Sequence, residues 1–152
     1  MKKWLPLGLI FFALSCSSAV QLTNPASVAP GKGYSQAAVV DLGSNKMIIL
    51  SGQVPLDKQG NLVGKGDLEK QTEQVFTNIK SIAEEMGGNM SHVIKLSYYI
   101  TDVSQIQTIR NVRDKYINTT NPPASTLVQV SKLFRDDVMI EVEATLVIPT
   151  RR

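Results

Sequence analysis

Cysteine and histidine are almost absent from this sequence. Its 152 residues include one cysteine, Cys16, and one histidine, His92. With no cysteine beyond Cys16, the domain that follows has no disulfide and no thiol nucleophile. A zinc site needs several nitrogen or sulfur ligands, and a Ser-His-Asp triad needs a histidine with a positioned partner. The sequence therefore predicts neither, and His92, just before a predicted strand, is interpreted as a structural or exposed residue.

The sequence also has no large excess of positive or negative charge and no strong phosphate-binding motif. The chain carries 16 Lys and Arg against 13 Asp and Glu, and without Lys2 and Lys3 the count is 14 against 13. No basic run remains beyond the N-terminus, so nucleic-acid binding is not expected. No GxGxxG or P-loop pattern occurs, and the turns "GKGYSQ" and "GNLVGKGD" are weak candidates for phosphate binding.

The one long apolar run lies at the N-terminus. "MKKWLPLGLIFFALSC" has two lysines and then an apolar segment that is too short to span a bilayer. This pattern predicts a signal peptide over residues 1–15. "ALSC" resembles a bacterial lipobox, which implies lipidation of Cys16 and a membrane attachment through lipid alone. Ordinary secretion with cleavage after Ala19, or no export, are the alternatives.

The chain as a whole has the composition of one globular domain. Hydrophobic residues make up 43% of the chain and charged residues 19%. Residues 16–33 are small, polar and rich in Pro and Gly, which predicts a lipidated Cys16 and a flexible tether. The domain itself is expected over 34–150, with cell-envelope localisation facing the periplasm, or secretion as a soluble protein.

Hydrophobic periodicity predicts an α+β domain in the order β-β-α-β-α-β-β. Asp67 is a predicted N-cap of the first helix, which Gly87 ends, and Ser104 with Gln107 forms a predicted capping box for the second. The strands are expected in "SQAAVVDL", "KMIILSGQV", "HVIKLSYYIT", "PPASTLVQVSKL" and "DVMIEVEATLVIP". Two such helices must cover one face of a single mixed sheet.

The other face of the sheet needs a cover too. It is expected to carry Val93, Tyr99, Leu127 and Val147, and a second subunit is the simplest cover. Glu141 lies on this face of the last strand. A buried carboxylate with a raised pKa can act as a general base, whereas a surface carboxylate would pair with a cation such as Lys95. The residues alone leave both interpretations open.

Several of these segments together resemble the RidA (YjgF) family, within the endoribonuclease L-PSP-like superfamily. The matching pieces run from about Gly33 to Ile148: "GYSQAAVVDLG", "MIILSGQVPLD", "QTEQVFTNIKSIAEEMGG", "VIKLSYYITDVSQI", "PPAS" and "IEVEATLVI". The resemblance implies a chorismate-mutase-like fold and a homotrimer with an inner barrel of sheets and helices outside. It also implies small-molecule pockets in the clefts between subunits.

The resemblance further implies an activity. Family members that are enzymes are 2-iminobutanoate/2-iminopropanoate deaminases, which hydrolyse enamines and imines to 2-keto acids and ammonia without a cofactor or metal. An arginine binds the substrate carboxylate, and a glutamate positions the attacking water. The pocket tyrosine of the family corresponds to Tyr34, its "SGQ" motif to Ser51 and Gly52, and its glutamate to Glu141.

Three positions depart from the family pattern. Where active members carry the arginine and a nearby cysteine, this chain has Ser125 and Leu127, and the asparagine of the second helix is Arg110. Losing a charged clamp weakens the binding of a carboxylate, although Arg110 could supply a cation. Two hypotheses remain: a deaminase-like hydrolase of altered specificity, or a non-catalytic trimeric binding or interaction protein of the cell envelope.

Overall fold

The computed structural model of the chain describes residues 19–150, so the predicted signal peptide and Cys16 lie outside the described residues. Within 19–150, no helix is both long enough and apolar enough to cross a membrane. This part of the chain contains six strands and two α-helices. The elements are β1 (Val20–Thr23), β2 (Ala37–Asp41), β3 (Asn45–Leu50), α1 (Leu68–Glu85), β4 (Val93–Ile100), α2 (Ile106–Arg113), β5 (Ala124–Gln129) and β6 (Ile140–Pro149).

The strands form one mixed sheet in the order β1-β2-β3-β6-β4-β5. Only β4 and β5 are parallel, and α2 lies in the connection between them, as a parallel crossover requires. The other neighbouring strands are antiparallel. Both helices contribute to a core that covers one face of the sheet. The predicted α+β class is confirmed, with β1 as a strand that was not predicted.

α1 follows the predicted pattern. The Asp67 carboxylate accepts a hydrogen bond from the Lys70 N–H at 3.1 Å, which satisfies one of the free donors of the first turn. The helix ends before Gly87, whose φ of 79° is the left-handed conformation that glycine adopts readily. Phe76 and Ile79, spaced along one side of the helix, are fully buried against the sheet.

α2 begins differently from the prediction. The expected capping box of Ser104 and Gln107 is wrong, because the cap is Asp102. Its carboxylate accepts hydrogen bonds from the N–H and the hydroxyl of Ser104, at 2.9 and 2.6 Å. These bonds stabilise a short 3-10 turn, Val103–Gln105, from which α2 continues. Aspartate is as good a helix cap as serine, so the sequence alone did not decide between them.

The structure contradicts a flexible tether over residues 19–33. β1 pairs with β2, and the N–H groups of Ala26 and Ser27 each donate to the Glu85 carboxylate at 2.8 Å. Val28 is buried in the core. The ordered domain therefore begins before Tyr34. Small and polar residues favour a flexible segment by composition, but backbone hydrogen bonds and the burial of Val28 depend on long-range contacts that composition does not contain.

The two faces of the sheet are defined by the strand register. Leu96 and Tyr98 of β4 lie beside Ala144 and Val142 of β6 on the face that the helices cover. Tyr99 and Val147 lie on the uncovered face, as expected. Val93 is buried on the helix-covered face instead, because a register shift between Val93 and Lys95 reverses the alternation at the start of β4.

The register also corrects the placement of Leu127. In the parallel pair of β4 and β5, Ser125 is the partner of Leu96 and Leu127 is the partner of Tyr98. Paired residues of neighbouring strands point to the same face. Ser125 and Leu127 therefore lie on the helix-covered side, whereas the expectation placed Leu127 on the uncovered face.

Candidate functional site

A cavity of about 750 Å³ lies beside the end of β3 and the start of β6. It is bounded by the loop before β2, the loop after β3 and the segment before β6. Four of the predicted site residues line it: Tyr34, Ser51, Gly52 and Glu141. The fold thus brings together residues from three separate parts of the sequence in one cavity of a size that accepts small molecules.

Glu141 supplies a carboxylate to this cavity. It is half-buried on the uncovered face of β6, opposite Tyr99 of β4. Burial raises the pKa of the Glu141 carboxyl, and the nearby charge of Glu143 raises it further. Among residues 19–150, no group donates a hydrogen bond to this carboxylate. The alternative interpretation, a pair with Lys95, is not formed; the Lys95 ammonium donates to the Thr126 hydroxyl at 2.5 Å.

Gly52 is the residue that makes room for this carboxylate. A Cβ at position 52 would lie 2.6 Å from Cδ of Glu141, which is far inside van der Waals contact. Gly52 does not have a left-handed φ, so space and not backbone conformation is the reason for glycine here. The glycine therefore lets the Glu141 side chain lie directly against the backbone of the loop after β3.

Two glutamines that the sequence did not single out form a polar wall of the cavity. Gln53 is buried and donates from Nε2 to Oε1 of Gln36 and to the Ser51 carbonyl, both at 2.9 Å. Gln36 donates in turn to the Ala29 carbonyl at 2.7 Å. The sequence feature that could have identified both glutamines is their spacing: Gln36 lies two residues after Tyr34, and Gln53 lies two residues after Ser51. The network fixes the two loops that carry Tyr34, Ser51 and Gly52.

The Ser51 hydroxyl is already committed as a donor. It donates to the Ser35 carbonyl at 2.7 Å, so it can only accept a hydrogen bond from a ligand. Tyr34, by contrast, is 52% exposed at the mouth of the cavity, where its ring can contact a ligand. Within the cavity, these two residues therefore offer an acceptor and an aromatic surface.

The cavity is also lined by two cationic side chains that sequence reasoning missed, Lys32 and Arg135. The Arg135 guanidinium forms a bidentate ion pair with Asp137, with Nε to Oδ1 at 2.9 Å and Nη2 to Oδ2 at 2.8 Å. This pair holds the pKa of the Asp137 carboxyl below its usual value. Arg135 lies in the loop between β5 and β6, and loop placement has no periodic pattern from which it could be predicted.

Ser125 belongs to a different cavity, of about 330 Å³, between the C-terminal end of α2, the 117–123 loop and β4. The two cavities share no lining residue within 19–150. Glu141 lies on the uncovered face of the sheet and Ser125 on the helix-covered face. Within one copy of the chain, a single small ligand therefore cannot contact both residues.

The other two predicted positions line neither cavity. Leu127 is half-buried and packs against the core, where an apolar side chain is expected. Arg110 is exposed on α2. The structure therefore does not place the Arg110 guanidinium beside either group of candidate residues.

His92 has a structural role. Its Nδ1 accepts a hydrogen bond from the Asn89 N–H at 3.0 Å and completes the cap of a short 3-10 turn, Met90–His92. In the described part of the chain, no three His, Cys, Asp or Glu side chains converge to hold a metal ion.

Comparisons with known proteins agree with this fold. The family model of endoribonuclease L-PSP matches residues 24–148. The 2-iminobutanoate/2-iminopropanoate deaminase of Salmonella typhimurium is 34% identical over 125 residues, which cover 81% of this chain and 91% of that protein. RidA from an Antarctic Psychrobacter is 31% identical with a TM-score of 0.73, covering 84% of this chain and 99% of that chain. E. coli TdcF with bound serine is 31% identical with a TM-score of 0.70, over 84% and 98%.

The fold and the comparisons together define a small α+β protein of the RidA type. The chain belongs to the endoribonuclease L-PSP family, which is the RidA (YjgF) family.

Proposed function

We propose that this protein hydrolyses small enamines and imines to 2-oxo acids and ammonia. The observation that carries the proposal is Glu141, a half-buried carboxylate with a raised pKa that faces the larger cavity without a hydrogen-bond donor from residues 19–150. A carboxylate of this kind is available to bind water and to take its proton. The similarity to a 2-iminobutanoate/2-iminopropanoate deaminase supports the substrate class.

Glu141 alone can serve this reaction, first as a general base that takes a proton from water and then as a general acid that gives it to nitrogen. Water attacks the C=N carbon of the protonated imine, its proton passes to Glu141, and the C=N π electrons move to nitrogen. Glu141 then returns the proton to nitrogen, ammonia leaves with the C–N electron pair, and the hydroxyl becomes the carbonyl as its proton goes to solvent. An enamine enters the same path after it takes up a proton at carbon. The raised pKa makes the Glu141 carboxylate a stronger base than an exposed glutamate.

The pocket is proposed to lie between subunits of a homotrimer. The uncovered face of the sheet exposes Ile49 to 46% and Val128 to 41%, and apolar residues in such positions are expected to be covered by another subunit. Ser125 and Glu141 lie on opposite faces of one sheet, so they can face the same ligand only if they come from neighbouring copies. Ser125, in place of the arginine that the resemblance implies, is proposed to change the specificity.

The location is proposed to be the cell envelope, with residues 1–15 as a signal peptide and Cys16 as the lipidated residue. The pattern "ALSC" supports this assignment. Mass spectrometry of the protein from a membrane fraction tests it, since acylation adds the mass of the lipid chains and Cys16→Ser removes it. Unmodified protein cleaved after Ala19 would instead indicate ordinary secretion, and unmodified protein that keeps its N-terminus would indicate no export.

A non-catalytic metabolite-binding protein is the second candidate. Ser125 favours it, because a charge-assisted hydrogen bond to a substrate carboxylate contributes about 1.5–3 kcal/mol that a serine does not replace. Nucleic-acid cleavage, which the family description names, is not proposed, because the described domain has no basic run.

A kinetic assay separates the two candidates. Purified protein is added to freshly generated 2-aminoacrylate or 2-aminocrotonate, and the release of pyruvate or 2-oxobutanoate is compared with buffer and with heat-denatured protein. Acceleration by the native protein alone supports hydrolysis. The absence of acceleration with both compounds removes the deaminase assignment and leaves the binding protein.

A further inference from the structure

The smaller cavity contains a hydroxyl without a partner. Tyr98 lines this cavity and is only 2% exposed, and its hydroxyl makes no hydrogen bond within residues 19–150. A buried polar group without a partner is unfavourable for folding and needs an explanation. Burial also raises the pKa of Tyr98 well above its usual value, so the group stays protonated and can donate. A ligand with an acceptor oxygen would satisfy it.

The same cavity contains a guanidinium with free donors. The side chain of Arg113 is 28% exposed, and both Nε and Nη2 approach a single oxygen of Asp114, at 2.8 and 2.7 Å. A guanidinium has five N–H donors. Nη1 of Arg113 makes no hydrogen bond to any other described residue, so a second acceptor can bind there. Ser125 adds a hydroxyl to the same wall.

We propose that Arg113 and the Tyr98 hydroxyl bind the carboxylate of a small 2-oxo or 2-imino acid in the cavity beside Ser125. Arg113 thereby supplies the cation that Ser125 does not. The assignment of the ligand as a 2-oxo or 2-imino acid rests on the proposed function, whereas the carboxylate site rests on the structure. Arg110, three residues earlier on α2, lines neither cavity and takes no part.

The competing cations lie elsewhere. Lys32 and Arg135 line the Glu141 cavity, and Arg135 already uses one edge of its guanidinium on both oxygens of Asp137. A carboxylate bound there would depend on Arg135 or Lys32 and not on Arg113. The two placements are therefore separable by substitution.

The test is a ligand-detected NMR titration of the purified protein with pyruvate at low ionic strength. Arg113→Gln is expected to raise the Kd at least about 10-fold, the size of one lost charge-assisted hydrogen bond. Arg110→Gln is the matched control, with the same charge change on the same helix, and is expected to stay within about 2-fold. Tyr98→Phe is expected to weaken binding by about 3-fold or more, since one neutral hydrogen bond is lost.

Folding and binding can be told apart. Arg113→Lys keeps the charge and loses the planar fork, so it is expected to bind between wild type and Arg113→Gln. Circular dichroism and the melting temperature of each variant check that the domain is folded. Equal pyruvate affinity in wild type and a folded Arg113→Gln, or a loss confined to Arg135→Gln, would overturn the proposal.

The pyruvate-binding test gives its result whether or not the protein hydrolyses 2-aminoacrylate. Pyruvate binding that depends on Arg113 supports the site even if 2-aminoacrylate is not hydrolysed, in which case the proposed function alone fails. Where hydrolysis does occur, Arg113→Gln is expected to raise KM at least about 10-fold with a smaller change in kcat, as expected for a substrate-binding residue. An unchanged KM in that variant would overturn the carboxylate site and leave hydrolysis at Glu141 intact.

Discussion

The cavity beside Glu141 and the cavity beside Ser125 differ in how their polar groups are satisfied. In the larger one, Gln36, Gln53 and Ser51 are bonded to one another and to the backbone, and the Glu141 carboxylate has no donor from the described residues. In the smaller one, the Arg113–Asp114 pair lies close to the Tyr98 hydroxyl, which has no partner. Each cavity therefore contains at least one polar group that the described residues do not satisfy.

The comparison teaches where to look for ligand contacts. Buried polar groups in proteins are nearly always hydrogen-bonded, so the few exceptions mark sites for a water or a ligand. In the larger cavity the exception is an acid that can take a proton, and in the smaller one it is a donor beside a cation. We therefore propose hydrolysis in the larger cavity and carboxylate binding in the smaller one.

Apart from replacement of Glu141 itself, the largest expected effect is that of a substitution at Gly52, beside the Glu141 carboxylate. A methyl group in Gly52→Ala would displace the Glu141 carboxylate, and a misplacement of about 1 Å can reduce a rate about 100-fold. We expect a loss of roughly 10- to 100-fold in kcat for 2-aminoacrylate hydrolysis. Gly43→Ala, in the remote β2–β3 hairpin, is the control: its φ of 80° makes alanine unfavourable for stability, but the rate should stay close to wild type. Full activity of Gly52→Ala would contradict the assigned position of the carboxylate.

A smaller effect tests the unpaired hydroxyl of the second cavity. Removing a buried hydroxyl that lacks a partner recovers its desolvation cost, so Tyr98→Phe is expected to raise the free energy of unfolding by about 1–3 kcal/mol. Urea denaturation without ligand measures it. Tyr99→Phe is the matched variant on the other face of β4, where the hydroxyl donates to Glu143 at 3.1 Å, and it should be neutral or slightly destabilising. A destabilised Tyr98→Phe would show that the hydroxyl has a partner in the free protein.

The smallest expected effect concerns the pH dependence of hydrolysis. The charge of Glu143 is the second cause, after burial, of the raised pKa of Glu141. Glu143→Gln removes that charge, so the Glu141 carboxyl should lose its proton at a lower pH. The acid side of the kcat profile against pH is therefore expected to move to lower pH, while the plateau stays similar. No shift, or a shift to higher pH, would show that another group controls the profile.

Much of the fold and part of the site could be predicted from the sequence. The helices and the five strands from β2 onward follow from the spacing of apolar residues. Tyr34, Ser51, Gly52 and Glu141 were assigned through the family resemblance; they line one cavity, and their functional roles stay predictions. The orientation of β5 could not be predicted, because alternation alone does not fix which of two faces joins the core. The parallel register with β4 does so, and it moves Leu127 to the helix-covered side.

Features that depend on long-range backbone contacts could not be predicted. β1 and the residues after it read as a polar linker, yet they are held by β2 and by the Glu85 carboxylate. Those hydrogen bonds lower the pKa of Glu85 but have no local sequence pattern. Arg113 likewise has the spacing of an ordinary helix residue, and only the packing of α2 against β4 places it beside Ser125.

The most direct measurement of the central claim is the initial rate of pyruvate release from 2-aminoacrylate by wild type, Glu141→Gln and Glu143→Gln at one pH on the plateau. General-base catalysis typically contributes about 100- to 10,000-fold, so Glu141→Gln should lose at least about 100-fold. Glu143→Gln, two residues along the same strand face, should retain most of the rate. A Glu141→Gln protein that keeps the wild-type rate, or equal losses in both variants, would contradict the assignment of Glu141 as the base.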